Sequence, residues 1–195
     1  MRLRPGFSRT SLGALVCLLA VVFSRAQAHG FDDRPRLVVW KKQRLLQVVR
    51  GDQVLRTYRV SLGVTPEGRK ELRGDGRTPV GVYTIYEKRP SDRFRRFLAL
   101  NYPDSTDADR AFDAGRISAD TWADIWLASK RGGRPRWDTP LGGFVGIHGT
   151  GGRSSRQAQL RQVSDWTDGC IALSDRDVED LYQIVPVGAA VEIQE

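Results

Sequence analysis

The chain reads as a mostly β domain of the α+β class. Three observations point there. Alternating or β-branched runs fill residues 36–62 and 80–88, helical patterns are confined to 102–140 and 174–185, and glycine-rich turns separate the pieces. "RLVVWKKQRLLQVV", Arg36 to Val49, is two strands around a Lys-Lys-Gln-Arg turn. "GDQ" then turns into "VLRTYRVSLG", where Val54, Tyr58, Val60 and Leu62 share a face at period two, interrupted by Arg56. This predicts an antiparallel meander. "TPEGRKELRGDGRTP" is a polar Gly/Pro loop, and "VGVYTIYEK", Val80 to Lys88, resumes strand character.

Residues 102–140 change character. "STDADRAFDAG" puts Ala108, Ala111 and Phe112 on one helical face behind a Ser/Thr start, and "SADTWADIWLASKRGG" puts Trp122, Ile125 and Trp126 on another, with Ser118 as cap and Gly132 as stop. They read as a helical insertion whose tryptophans pack rather than bind. "LGGFVGIHG", Leu141 to Gly149, is a glycine-rich strand ending at His148. A long loop leads to the turn Thr167-Asp168-Gly169-Cys170 and a short strand. "SDRDVEDLYQIV" is a helix capped by Ser174, with Asp177 at the capping-box position and Val178, Leu181, Tyr182 and Val185 as its stripe. "AVEI" closes the chain as a strand.

The first 28 of the 195 residues have the form of a cleaved signal peptide: basic Arg2, Arg4 and Arg9, the apolar run "SLGALVCLLAVVF" and the small-x-small "AQA". The run is short for a spanning helix, so no stable membrane span is expected. Subtracting the leader's four arginines from 31 basic residues leaves 27 against 23 acidic, a net +4. That mild excess suits a neutral or anionic polymer and makes no case for nucleic acid. The remainder, 29–195, is the length of one domain with a real core.

Beyond the leader one cysteine remains, Cys170, which excludes an internal disulfide. In an oxidising compartment such a thiol is an intermolecular bridge, an inert buried residue or a reactive group. A reactive thiol needs a base, because little of it is thiolate at neutral pH. The two histidines are His29, at the expected new N-terminus, and His148, which lies 22 residues before Cys170 with Gly146 and Gly149 nearby. Gly169 lets the main chain turn so that amides, that of Cys170 first, point at a carbonyl oxygen gaining charge. The competing zinc reading has only His148, Cys170 and Asp168 to draw on, without a close ligand pair, so no metal and no cofactor are expected.

"IHGT" followed by "WTDGCIAL" resembles the signature of L,D-transpeptidases with the YkuD-type catalytic domain. "GDGRTPVGVYTI" is similar to that family's Gly-x-Thr-Pro element, and the opening strands and the closing helix and strand also fit, so the resemblance spans most of Arg36 to Ile193. It implies a YkuD-like β-sandwich or mixed-sheet catalytic domain, with Cys170 as nucleophile and His148 as general base. It also implies a substrate, the stem peptide of peptidoglycan, cut between diaminopimelate and the fourth-position D-alanine through a thioester. The acceptor would be another stem, a wall-attached protein or water, and the location the periplasm.

Two departures stand out. Where the family often has His before Gly-Cys, this chain has Asp168, whose backbone carbonyl is expected to orient His148. Where the family usually carries Arg two residues after the cysteine, this chain has Ala172, which opens a hydrolytic alternative: carboxypeptidase or endopeptidase chemistry at the same site. Arg153, Arg156 or Arg161 could replace that guanidinium, Arg153 being the candidate taken for substrate binding, with Trp166 as a wall of the groove. A non-catalytic wall-binding domain is the remaining reading.

Overall fold

The computed structural model describes residues 34–132, 134–151 and 155–195; the expected leader, His29 and Arg153 lie outside them. Eight strands form one mixed sheet in the order β3-β2-β1-β8-β4-β5-β6-β7. In chain order they are β1 (Arg36–Trp40), β2 (Leu45–Arg50), β3 (Gln53–Arg59), β4 (Gly81–Ser91), β5 (Arg95–Leu100), β6 (Gly146–Gly149), β7 (Ile171–Leu173) and β8 (Ala190–Gln194). Helices α1 (Ser105–Asp113) and α2 (Ala119–Lys130) lie between β5 and β6, α3 (Ser155–Val163) between β6 and β7, and α4 (Asp175–Ile184) between β7 and β8. Among the described residues no helix is long and apolar enough to cross a membrane.

The meander forms as the period-two pattern predicts, β1 antiparallel to β2 and β2 to β3. One part of that pattern fails. A bulge opposite Val48 and Val49 puts Leu55 out of register, which reverses the facing of everything before it. Tyr58, Val60 and Leu62 are therefore buried while Val54 is 48% exposed. β1 sits inside the sheet, parallel to β8, and its buried Leu37-Val38-Val39 run reads as continuous rather than alternating for that reason.

Helix starts follow capping chemistry. The Asp104 side chain accepts from the Asp107 amide at 3.0 Å and Asp107 returns the bond to the Asp104 amide at 3.1 Å, so the cap of α1 lies one residue ahead of the expected Ser/Thr start. Ser118 caps α2 and Ser174 caps α4 as expected. Ala108, Ala111, Ile117, Ile125 and Leu141, with Trp122 against them, form a small apolar cluster, whereas Phe112 stays 44% exposed beside Trp122. The main core gathers the sheet's inner face under Val178, Leu181 and Val185 of α4.

The chain leaving β3 runs back along the far end of the sheet. Ser61 bridges Ala172 in β7 and Gly63 bridges Thr167, so the two ends of the strand order meet. Arg44, in the β1–β2 turn, closes the same seam by gripping the Asp165 carboxylate at 2.7 and 3.0 Å, and Asp165 also accepts from the Leu62 amide at 2.8 Å. The cysteine turn begins at this seam.

Candidate active site

Parallel pairing sets Ile147 beside Ile171 and His148 beside Ala172. One step back along both chains, Gly146 lies beside Cys170. Side chains alternate across a strand, so Ile147, Ile171 and Leu173 enter the core while His148 and Cys170 take the opposite face as diagonal neighbours. Gly146 between them has no room for more: a Cβ there would stand 2.5 Å from the Phe97 ring.

The turn before Cys170 is tied by one hydroxyl. Thr167 Oγ1 accepts from the Gly169 amide at 3.1 Å and donates to the Cys170 carbonyl at 2.8 Å. Gly169 has φ +124°, and a Cβ there would meet the Arg77 carbonyl at 2.5 Å. Both facts require glycine. Arg77 is held in turn by Asp75, whose carboxylate accepts from the Arg77, Glu71 and Leu72 amides and from buried Lys70 at 2.7 Å. Burial raises the Asp75 pKa, but these four donors outweigh it and hold the carboxyl below its ordinary range. The "GDGRTP" stretch thus backs the cysteine turn.

His148 is 2% exposed. Phe94 stacks on its ring at 4.2 Å between centroids, Phe97 lies parallel at 6.2 Å and Trp166 meets it edgewise at 5.7 Å. Nδ1 bonds the Gly149 carbonyl at 2.7 Å. A carbonyl only accepts, so Nδ1 carries the proton and Nε2 the free lone pair. The orienting carbonyl therefore belongs to Gly149, the next residue of the strand, and not to Asp168 as the sequence reading expects. Asp168 instead lies exposed on the groove wall.

Burial among the rings pushes the imidazole pKa down to about 4; the Gly149 bond and Asp175 oppose this, while the charges of Arg161 and Arg93 add to it. Burial likewise pushes the Cys170 thiol up to about 11, against a hydrogen bond from the Gly146 backbone and the charge of Lys70. Both shifts favour the neutral pair, thiol and imidazole. Sγ donates to the Phe144 carbonyl at 3.6 Å, and no hydrogen bond joins it to His148 in this state. Phe144 aims that carbonyl from φ +59°, a left-handed conformation that costs a bulky residue roughly 1–2 kcal/mol.

Sulfur and imidazole open into one groove of about 510 Å³, lined also by Arg93, Phe94, Phe97, Phe144, Arg161, Trp166 and Asp168. Trp166 lines this groove. Sequence reasoning missed Phe94, Phe144 and Arg93, and named Gly149 without its carbonyl contact; each touches the site through a backbone atom or a ring stack that no motif spacing encodes. Among the described residues no three His, Cys, Asp or Glu side chains gather as a metal-ligand set.

The fold has counterparts among known proteins. The family of L,D-transpeptidase catalytic domains, YkuD, matches residues 34–193. No curated protein matches the chain. Among solved structures, the helical cell shape determining protein Pgp2 from Campylobacter jejuni superposes with a TM-score of 0.56 at 22% identity, over 84% of this chain and 49% of that one. A point variant of the same protein gives 0.55 at 21% identity, over 85% and 48%. An L,D-transpeptidase from Mycobacterium smegmatis gives 0.45 at 19% identity, over 83% and 59%. The chain spans about half the length of the Pgp2 structures, and the likeness at these identities is one of fold. The match over residues 34–193 makes this chain a member of the YkuD family of L,D-transpeptidase catalytic domains.

Proposed function

We propose that the chain is an exported cysteine acyltransferase that works in the periplasm on peptidoglycan stem peptides, with Cys170 as nucleophile and His148 as general base. The supporting observation is the diagonal placement of the two side chains on one face, with Nε2 of His148 unprotonated. As Sγ attacks the carbonyl between diaminopimelate and D-alanine, Nε2 takes the thiol proton. Because the neutral pair is the resting state, that transfer accompanies attack instead of preceding it. The Gly169 amide is occupied by Thr167 Oγ1, which leaves the Cys170 amide as the turn's donor to the oxyanion. The imidazolium then protonates the departing D-alanine amine and a thioester remains. An amine on a second stem or on a wall-attached protein resolves it as transfer.

Hydrolysis is the second reading, and Ala172 favours it. The residue is 1% exposed and bridged to Ser61, so no guanidinium enters the groove from the position the family uses. Incubation with disaccharide-tetrapeptide and mass spectrometry separates the readings. Cross-linked dimer lacking one D-alanine means transfer; tripeptide with free D-alanine means hydrolysis. Unchanged substrate contradicts both.

A further inference from the structure

Among the described residues, two arginines lining the groove make no ion pair. Arg93, at the tip of the β4–β5 hairpin, sets its guanidinium 4.8 Å from the Phe94 ring centre, and Arg161, on α3, sets its own 4.3 Å from that of Trp166. Phe94 and Trp166 are two of the three rings that pack on His148, and they meet each other at 6.0 Å between centroids. The imidazole therefore sits against a corner of two touching rings, each carrying a positive charge. Arg161 is further fixed by donating from Nη1 to the Thr150 carbonyl at 2.6 Å, which leaves the rest of its fork uncommitted. Among the described residues neither arginine forms an ion pair. Their neighbours do: Arg95 and Arg96, on the same hairpin, both bind Glu179. The described residues lining the groove thus include two cations and one acid, the exposed Asp168.

We propose that Arg93 and Arg161 together bind a carboxylate of the donor peptide above His148, supplying from the groove walls the guanidinium that Ala172 does not. The inference rests on the stem-peptide reading and adds the groups that recognise it. A planar, bidentate fork suits a carboxylate, and stacking on a ring pre-orients the fork at low entropic cost. After burial, both charges also lower the basicity of the imidazole, against the opposing charge of Asp175. A stem tetrapeptide offers two carboxylates near the cleaved bond: the terminus of the departing D-alanine and the side-chain carboxyl of diaminopimelate.

The test measures binding first, so it does not depend on turnover. Tetrapeptide is titrated calorimetrically into the Cys170→Ala protein as the free acid, as the C-terminal amide and as the diaminopimelate side-chain amide. Amidation at one carboxylate should weaken binding about 10- to 100-fold, the range set by charge-assisted hydrogen bonds, and identifies which carboxylate is held. Adding Arg161→Ala or Arg93→Ala should shrink that ratio towards one, and Arg161→Lys should restore part of it. An arginine that merely packs on Trp166 would weaken all three peptides equally. If the ratio persists in both alanine variants, or neither amidation matters, the proposal is overturned. Turnover by wild-type protein is followed separately: carboxylate-dependent binding without any product would keep the clamp and reject the acyltransferase reading.

Discussion

His148 and Gly169 carry the residue-scale argument. A histidine enclosed by three rings and bonded through Nδ1 is a base over a wider range than usual, because burial holds its pKa at about 4. The acid limb of kcat/KM should therefore fall near pH 4 instead of near the ordinary histidine value, and a limb at pH 6 to 7 would contradict the enclosed imidazole. The same depression has a stability sign. The unfolded chain takes up the proton first, so His148's contribution is fully present above the unfolded pKa and is lost as pH falls towards 4. It is on the order of 3 kcal/mol, readable from denaturant midpoints between pH 7 and 4. Gly169→Ala adds a Cβ 2.5 Å from the Arg77 carbonyl at a φ that disfavours L side chains. It should lower stability by about 1–3 kcal/mol and turnover by at least an order of magnitude, checked by thermal denaturation and initial rates. Cys170 and His148 were legible as residues because, outside the expected leader, the sequence offers one thiol and one internal histidine. Their orientation was not: the Gly149 carbonyl on Nδ1 and the Phe144 carbonyl on Sγ are main-chain contacts set by strand register and a left-handed φ.

Elements with an amphipathic period were readable in the sequence, and the others were not. The meander, α2 and α4 show their buried face or their cap, whereas α3 has no apolar stripe, with Leu160 60% and Val163 82% exposed. Such a helix looks like a polar loop until its placement on the groove is seen. β5 was missed for a different reason: its basic start hides the short buried run Phe97 to Leu100, which only the flanking strands make into a strand. The cap of α1 is a direct test of local chemistry. Asp104→Ala removes one half of a reciprocal box and leaves the Asp107 amide without its acceptor. Stability should fall by about 1 kcal/mol, seen as a lower thermal midpoint, while Ser105→Ala, outside the box, should change little.

Across the whole molecule, the site depends on the two ends of the sheet meeting. Ser61 pairs with Ala172, and Arg44 reaches from the first hairpin to Asp165 at the head of the cysteine turn. That closure joins residues more than a hundred positions apart, and no local pattern predicts it. Arg44→Ala should cost about 1.5–3 kcal/mol, since it strands a partly buried carboxylate, and should lower kcat more than it raises KM by loosening the turn. Thermal denaturation with steady-state kinetics checks both halves. The claim beneath all of this is that the sulfur at the seam becomes covalently acylated with the help of the imidazole beside it. Acid-quenched reactions of protein and tetrapeptide, examined by intact-protein mass spectrometry and peptide mapping, test it most directly. A thioester adduct mapping to Cys170, absent in Cys170→Ala and strongly diminished in His148→Asn, is the expected result. Undiminished turnover by Cys170→Ala, or an adduct on another residue, would contradict it.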